Sequence, residues 1–181
     1  MKLPVFLDRD GVINENRADY VKTPAEWVPI PGAIAAAAWL HRAGHPLIVV
    51  TNQSGIGRGY YTSEAVDKVH DVMQSAFASA GIPAVPVMYC PHHPKDKCSC
   101  RKPETGMIDQ AKEEFDLPDH GWIVGDAHSD MELGRRSGLK TILVLTGRGI
   151  DQLDIIRAEN LQMPDHVTGS LVSAVEIILG E

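Results

Sequence analysis

Short apolar runs that each stop at a polar or turn residue constrain the fold of this chain most. The runs are Val5 to Leu7 ending at Asp8, Leu47 to Val50 ending at Thr51, Val85 to Tyr89 ending at Cys90, Trp122 to Val124 ending at Gly125-Asp126, and Thr141 to Leu145 ending at Thr146-Gly147. Runs this short, β-branched and bounded by turn residues are typical of buried strands in a parallel sheet.

Helical patterns separate these runs. We predict helices from about Gly32 to Ala43, from an N-cap at Ser63 to about Ala80, after a cap at Thr105, from Ser129 to Ser137, from Gly149 to about Leu161, and from Ser170 to Leu179. This alternation predicts a doubly wound (Rossmann-like) α/β fold with right-handed crossovers. We find no internal repeat or linker, so residues 1–181 are expected to form one domain.

Composition restricts the partners. The 181 residues carry a net charge of -7, which disfavours nucleic acid and anionic membranes as partners, since both favour a basic face. No apolar stretch reaches the ~18 residues of a transmembrane helix, and the N-terminal apolar run is too short for a signal peptide. We therefore expect a cytoplasmic protein, monomeric by default.

Carboxylates lie at two of the predicted strand ends. Asp8 and Asp10 are two residues apart, so in extended chain they point the same way, and Asp126 follows another strand. Because ligands gather at the carboxyl ends of strands in such folds, these side chains are expected to meet. Their mutual repulsion calls for a cation such as Mg²⁺, or for one proton. The alternative is an ordinary Asp-Gly turn.

The three cysteines form a metal-ligand pattern. Cys90-x-His92 and Cys98-x-Cys100 offer three thiolates and one imidazole, a standard tetrahedral Zn²⁺ set without an open position. We therefore predict a structural zinc loop over residues 90–100, with His93 left as a loop histidine. The alternatives are three reduced buried cysteines or a nucleophilic cysteine, which would need a thiolate free of metal.

Four motifs together resemble the haloacid dehalogenase superfamily. They are Asp8-x-Asp10-Gly11, Thr51-Asn52 after an apolar run, Lys102, and Gly125-Asp126 with Asp130. The gaps between Asp10, Thr51 and Lys102 leave no room for a large cap domain. The second Asp of the first motif favours phosphate-ester hydrolysis over dehalogenation, while a phosphomutase stays open on these motifs alone.

The resemblance implies a role for each motif residue. Asp8 would attack the phosphoryl group, and Asp10 would act as general acid and then general base. Thr51, Asn52 and Lys102 would bind the transferring oxygens. The catalytic Mg²⁺ would be held by Asp8, the Asp10 backbone carbonyl and Asp126. Asp130 would support the metal or Lys102; the alternative is a plain first-turn helix acid.

The zinc loop lies directly before Arg101-Lys102-Pro103, which resembles the group of histidinol-phosphate and heptose-bisphosphate phosphatases. The sequences DRDGVIN, CPHHP and TNQSGI resemble its heptose branch. That branch implies removal of the C7 phosphate from a heptose 1,7-bisphosphate, giving the 1-phosphate for surface polysaccharide synthesis. Arg101 would seat the retained phosphate. Gln53, Ser54 and the loop ending at Tyr20 would contact the sugar.

Other readings stay open. A histidinol-phosphate phosphatase would share the mechanism, a zinc-stabilised interaction module would lack catalysis, and a nucleic-acid end phosphatase would need a basic stripe. The chain also departs from the family pattern, because Ala127 stands where relatives often carry Lys. The contact made by that Lys is then missing or supplied by His128.

Overall fold

The computed structural model describes residues 2–181 and contains a parallel sheet of six strands. The strands are β1 (Val5–Leu7), β2 (Leu47–Asn52), β3 (Val87–Cys90), β4 (Trp122–Gly125), β5 (Lys140–Val144) and β6 (His166–Thr168), in the order β3-β2-β1-β4-β5-β6. The helices are α1 (Ala33–Arg42), α2 (Ser63–Ser79), α3 (Gly106–Phe115), α4 (His128–Arg136), α5 (Gly149–Ala158) and α6 (Leu171–Gly180). All five strand pairs are parallel, which confirms the doubly wound α/β fold.

Alternation along the strands places helices on both faces of the sheet. In β1, Val5 and Leu7 pack into one apolar layer with α1, α2 and α6, whereas Phe6 packs into the opposite layer with α3 and α4. A smaller cluster joins α4 and α5 to β5. Because both faces are covered, strands β1 to β5 consist mainly of buried apolar residues, and this is why the sequence predicts them.

Most elements begin and end within three residues of the predicted bounds; the main differences are at strand β6 and at the N-cap of helix α2. Strand β6 was missed, because its residues are exposed or half-exposed at the sheet edge and form no apolar run. Helix α2 is capped by Thr62 rather than Ser63: the Thr62 side-chain oxygen accepts a hydrogen bond from the Ala65 N–H, and Ser63 is the first helical residue.

The strand order brings three strand ends together. Strand β1 lies between β2 and β4, so the chain winds away from β1 in opposite directions at this point. Ligands bind at such switch points, at the carboxyl ends of the strands. The segment between β1 and α1 carries only a short 3-10 helix at Pro24–Glu26, and the segment between β3 and α3 holds no helix or strand. The described chain thus has no large cap over this edge.

Within residues 2–181, the longest helices are too short or too polar to traverse a lipid bilayer.

Candidate active site

Lys102 connects two carboxylates at the centre of the switch point. Its Nζ lies 2.9 Å from Asp8 Oδ1 and 2.6 Å from Asp130 Oδ1, and it donates to the Val50 carbonyl at 3.0 Å. All three charged side chains are almost completely buried. Burial opposes the charged lysine, but the two carboxylates outweigh it and raise the pKa of Lys102. Lys102 is therefore a fixed cation beside the predicted nucleophile.

Three carboxylates converge at this point. Oxygens of Asp8, Asp126 and Asp130 all lie within 4.8 Å of one another, and all three residues are buried. Burial raises the pKa of Asp8 to about 6, with repulsion from Asp130 and Asp10 adding to it and Lys102 opposing it. Two nearby cations, Lys102 and Arg148, face three acids. The buried carboxylates outnumber these cations, and their oxygens are suitable ligands for a hard divalent cation such as Mg²⁺.

Asp126 forms hydrogen bonds and an ion pair with Arg148. The Arg148 backbone N–H donates to Asp126 Oδ2 at 2.8 Å, and its Nη2 lies 3.2 Å from Oδ1. Gly11 and Gly147 both have positive φ and lie against the same carboxylate, where a Cβ at either position would overlap Asp126 Oδ2. The two glycines thus let two loops close around Asp126.

Asp10 has a different environment from Asp8. Its carboxylate accepts hydrogen bonds from Arg9 Nη2 at 2.9 Å, Asn14 Nδ2 at 2.8 Å and Gln53 Nε2 at 3.0 Å. Burial acts to raise the pKa of Asp10, but the Arg9 charge and these hydrogen bonds outweigh it, so the pKa lies below its usual value. The two carboxylates of one motif thus have pKa values on opposite sides of the ordinary Asp value: Asp8 above it and Asp10 below it.

Gln53 and Asn52, both predicted to bind substrate, form hydrogen bonds with other residues of the site. Gln53 is buried; its Nε2 donates to Asp10 and to Thr51 Oγ1, and its Oε1 accepts from the Tyr61 hydroxyl. Asn52 donates to the Lys102 carbonyl and accepts from the Lys102 N–H. Gln53 therefore has its amide engaged by protein groups, and its contact with sugar hydroxyls stays a prediction that this arrangement does not favour.

A polar cavity of about 370 Å³ opens over these residues. Of the predicted site residues, it is lined by Asp8, Asp10, Tyr20, Thr51, Asn52, Ser54, Arg101 and Lys102. Asp126, Asp130 and Gln53 lie beneath its surface. The sequence reasoning missed two lining arginines, Arg58 and Arg148. A signal for Arg148 was its position directly after Thr146-Gly147, at the end of a predicted strand.

Ala127, which stands where relatives often carry Lys, has no polar side-chain group that could contact substrate. Ala127 is buried as the N-cap of α4, where its N–H donates to Asp130 Oδ2. The His128 N–H donates to Gln152, and the His128 side chain is not among the cavity-lining residues. The cation that lines the cavity beside Asp126 is Arg148, rather than a lysine at position 127 or His128.

The predicted zinc ligands form one cluster at the end of β3. The Cys90 Sγ lies 3.6 Å from Cys98 Sγ and 3.6 Å from His92 Nδ1; Cys100 Sγ lies 3.5 Å from Cys98 Sγ and 3.1 Å from His92 Nδ1. A tetrahedral site with Zn–S bonds of ~2.3 Å places sulfur atoms about 3.8 Å apart, so this donor set fits zinc. His93 lies outside the cluster, and its Nδ1 accepts a hydrogen bond from the Lys95 N–H.

The chain is similar to known proteins both in sequence and in structure. Residues 99–174 match the family model described as HAD-hydrolase-like. The D-glycero-beta-D-manno-heptose-1,7-bisphosphate 7-phosphatase of Pseudomonas aeruginosa is 44% identical over 150 residues, covering 82% of this chain and 84% of the relative. The enzyme of the same name from Neisseria meningitidis serogroup A is 41% identical over 167 residues, covering 92% and 87%.

A solved structure shows the same architecture. The D,D-heptose 1,7-bisphosphate phosphatase of B. bronchiseptica, complexed with magnesium and phosphate, superposes with a TM-score of 0.91 at 35% identity and covers 99% of each chain. With relatives this similar over most of both chains, and with the carboxylate cluster at the switch point, the protein belongs to the heptose-1,7-bisphosphate 7-phosphatase family of haloacid dehalogenase-like hydrolases.

Proposed function

We propose that this protein hydrolyses the C7 phosphate of D-glycero-D-manno-heptose 1,7-bisphosphate and releases heptose 1-phosphate. The observation that carries the proposal is the Lys102 ammonium, shared between Asp8 and Asp130 under an arginine-rich cavity. This arrangement supplies a nucleophile, a fixed cation and seats for anions at one point. Relatives at 35–44% identity carry the corresponding enzyme name.

In the first step, an Asp8 oxygen attacks the C7 phosphorus and the bond from phosphorus to the sugar oxygen breaks. The Asp10 carboxyl gives its proton to the departing oxygen, leaving an aspartyl-phosphate on Asp8. Phosphate bound beside Asp10 brings negative charge that raises the pKa of Asp10 and so favours the protonated form. Lys102, with Thr51 at the edge of the cavity, stabilises charge on the transferring oxygens.

In the second step, Asp10 takes a proton from water as the water oxygen attacks the phosphorus. The bond from phosphorus to the Asp8 oxygen breaks, Asp8 returns to a carboxylate, and inorganic phosphate leaves. Asp8, the Asp10 backbone carbonyl and Asp126 would hold Mg²⁺, which, when bound, lessens repulsion between the nucleophile and the phosphate. Asp130 keeps Lys102 in place through its 2.6 Å contact. Using one carboxyl first as acid and then as base returns the site to its starting state.

Arg101 is the proposed seat for the phosphate that is kept. It lines the cavity, and its Nη1 is buried without a hydrogen-bond partner among the residues described. A buried guanidinium nitrogen without a partner is costly unless a ligand satisfies it, and guanidinium matches phosphate oxygens in a bidentate way. Arg58 and Arg148 at the cavity wall add positive charge for a substrate with two phosphates.

The cysteine cluster is proposed to hold a structural Zn²⁺. Four ligands leave no open coordination position for substrate or water. Cys100, the last ligand, is directly followed by Arg101 and Lys102. The zinc site would therefore fix the segment that presents both cations. A monomeric state, one domain over residues 1–181 and a cytoplasmic location stay predictions.

Substrate profiling with purified protein and Mg²⁺ tests the function. Phosphate release should be much faster from heptose 1,7-bisphosphate than from histidinol phosphate, and the product should keep the C1 phosphate. Asp8→Asn should lower kcat by roughly 10³-fold or more, since the nucleophile is lost. Asp151→Asn, an exposed acid on α5, is the matched control. Faster release from histidinol phosphate would replace this function with the histidinol one.

A further inference from the structure

Arg9 is a fully buried arginine next to the proposed general acid. Its side chain has no solvent exposure, and its Nε and Nη2 both donate to the Asp10 carboxylate, Nη2 at 2.9 Å. An arginine buried this deeply requires acceptors for its remaining N–H groups, because unpaired buried donors are costly. The acceptor for Nη1 comes from another part of the chain.

That acceptor is His70 on α2. Arg9 Nη1 lies 3.1 Å from His70 Nε2, and His70 is itself buried. Because the guanidinium carries only donors, Nε2 must be the unprotonated nitrogen. Burial, followed by repulsion from Arg9, lowers the pKa of His70 to about 4, which keeps the ring neutral. The ring also packs edge-on against Tyr89, with centroids 5.5 Å apart.

The other partners of Asp10 are anchored in the same way. Gln53 is held by the Tyr61 hydroxyl at 2.9 Å, and Asn14 by the Trp27 Nε1–H at 3.0 Å. Each group that donates to Asp10 is thus fixed by a second side chain. For Arg9, that second side chain is His70.

We propose that His70 is a positioning residue for proton transfer by Asp10. By accepting from Nη1, it fixes the plane of the Arg9 guanidinium, which in turn fixes the Asp10 carboxylate facing the leaving oxygen. Without this acceptor, the guanidinium turns to find another partner and the carboxylate moves with it. The inference rests on the proposed function, because it assigns His70 a part in that reaction.

The test separates proton transfer from the rest of catalysis. A sugar phosphate needs its leaving oxygen protonated, whereas p-nitrophenyl phosphate releases a stable phenolate and needs little help from an acid. For His70→Leu we expect kcat/KM to fall by roughly 10-fold or more with heptose 1,7-bisphosphate, but by less than about 3-fold with p-nitrophenyl phosphate.

Conservative variants define what His70 supplies. His70→Gln can place its amide oxygen where Nε2 lies, so it should retain both activities within about 3-fold. His70→Asn is polar but too short to reach Arg9, and it should behave like His70→Leu. His45→Leu is the control: His45 is also buried, but it lies before β2 at the opposite end of the sheet and bonds the Leu3 carbonyl. For His45→Leu, the ratio of kcat/KM with heptose 1,7-bisphosphate to kcat/KM with p-nitrophenyl phosphate should equal that of the wild type.

Two results would overturn the inference. An equal loss with both substrates in a folded His70→Leu or His70→Asn variant means that His70 only supports packing. A His70→Gln variant as impaired as His70→Asn means that the acceptor is not what matters. If instead the wild-type protein releases no phosphate from the bisphosphate, the proposed function itself fails, which is a distinguishable outcome.

Discussion

The Nζ of Lys102 lies 2.9 Å from Oδ1 of Asp8, with both side chains closed off from solvent. The two residues are far apart in the chain, and the contact forms because β1 and β2 are neighbours and the segment after the cysteine cluster folds over their ends. The contact between Lys102 and the proposed nucleophile therefore also contributes to the stability of the fold, and its effects on activity and on stability can both be measured.

Replacing Lys102 by Met should destabilise the protein as well as inactivate it. The change keeps the apolar stem but leaves Asp8 and Asp130 buried without their cation, which costs about 3–5 kcal/mol. Urea unfolding at pH 7 measures this free energy. Lys68→Met, an exposed lysine on α2, is the control and should change the free energy of unfolding by less than about 0.5 kcal/mol. Equal stability of the two variants would contradict the burial argument.

Replacing Arg101 by Ala should affect substrates with two phosphates selectively. Loss of a charge-assisted pair to the C1 phosphate should lower kcat/KM for heptose 1,7-bisphosphate by about 10–100-fold. Heptose 7-phosphate lacks that group, so steady-state kinetics with it should show little change. A similar loss with both substrates would place Arg101 at the transferring phosphate rather than at the retained one.

Removal of a zinc ligand should weaken the fold before it alters the chemistry. Metal analysis of the wild type should find about one tightly bound Zn²⁺ per chain. Cys98→Ser should lower zinc content and the melting temperature, and chelated wild-type protein should recover its melting temperature with Zn²⁺ but not with Mg²⁺. Activity lost by a fully folded variant and restored by Zn²⁺ alone would indicate a catalytic zinc instead.

Acid should destabilise the protein partly through His70. Its folded pKa of about 4 lies below the usual His value, so between these two values the unfolded chain binds more protons and stability falls as pH falls. At pH 5 the free energy of unfolding lost through His70 amounts to roughly 2 kcal/mol. Between pH 7 and pH 5, the free energy of unfolding should therefore drop more for the wild type than for His70→Gln. Parallel losses in both proteins would show that His70 titrates normally.

Much of the site could be predicted because its signals are local. An apolar run that stops at Asp8, Thr51 or Asp126 marks a strand end by residue type alone, and the spacing of Cys90, His92, Cys98 and Cys100 is a property of eleven consecutive residues. Parallel strands necessarily bring their carboxyl ends to one edge, so the convergence followed from the fold class. The short edge strand β6 left no such signal and was missed.

The sequence by itself determined the fold class, the strand-end acids and the Cys/His cluster, since these depend on local periodicity and on the chemistry of single residues. The tertiary structure alone decided which other side chains pair with these acids and with one another. Arg148 pairs with Asp126, Arg9 with His70, and Gln53 with Asp10 and Thr51 rather than with open cavity. These contacts depend on strand order and on burial, which force each enclosed donor to find an acceptor. A local sequence pattern therefore does not predict which side chains form these pairs.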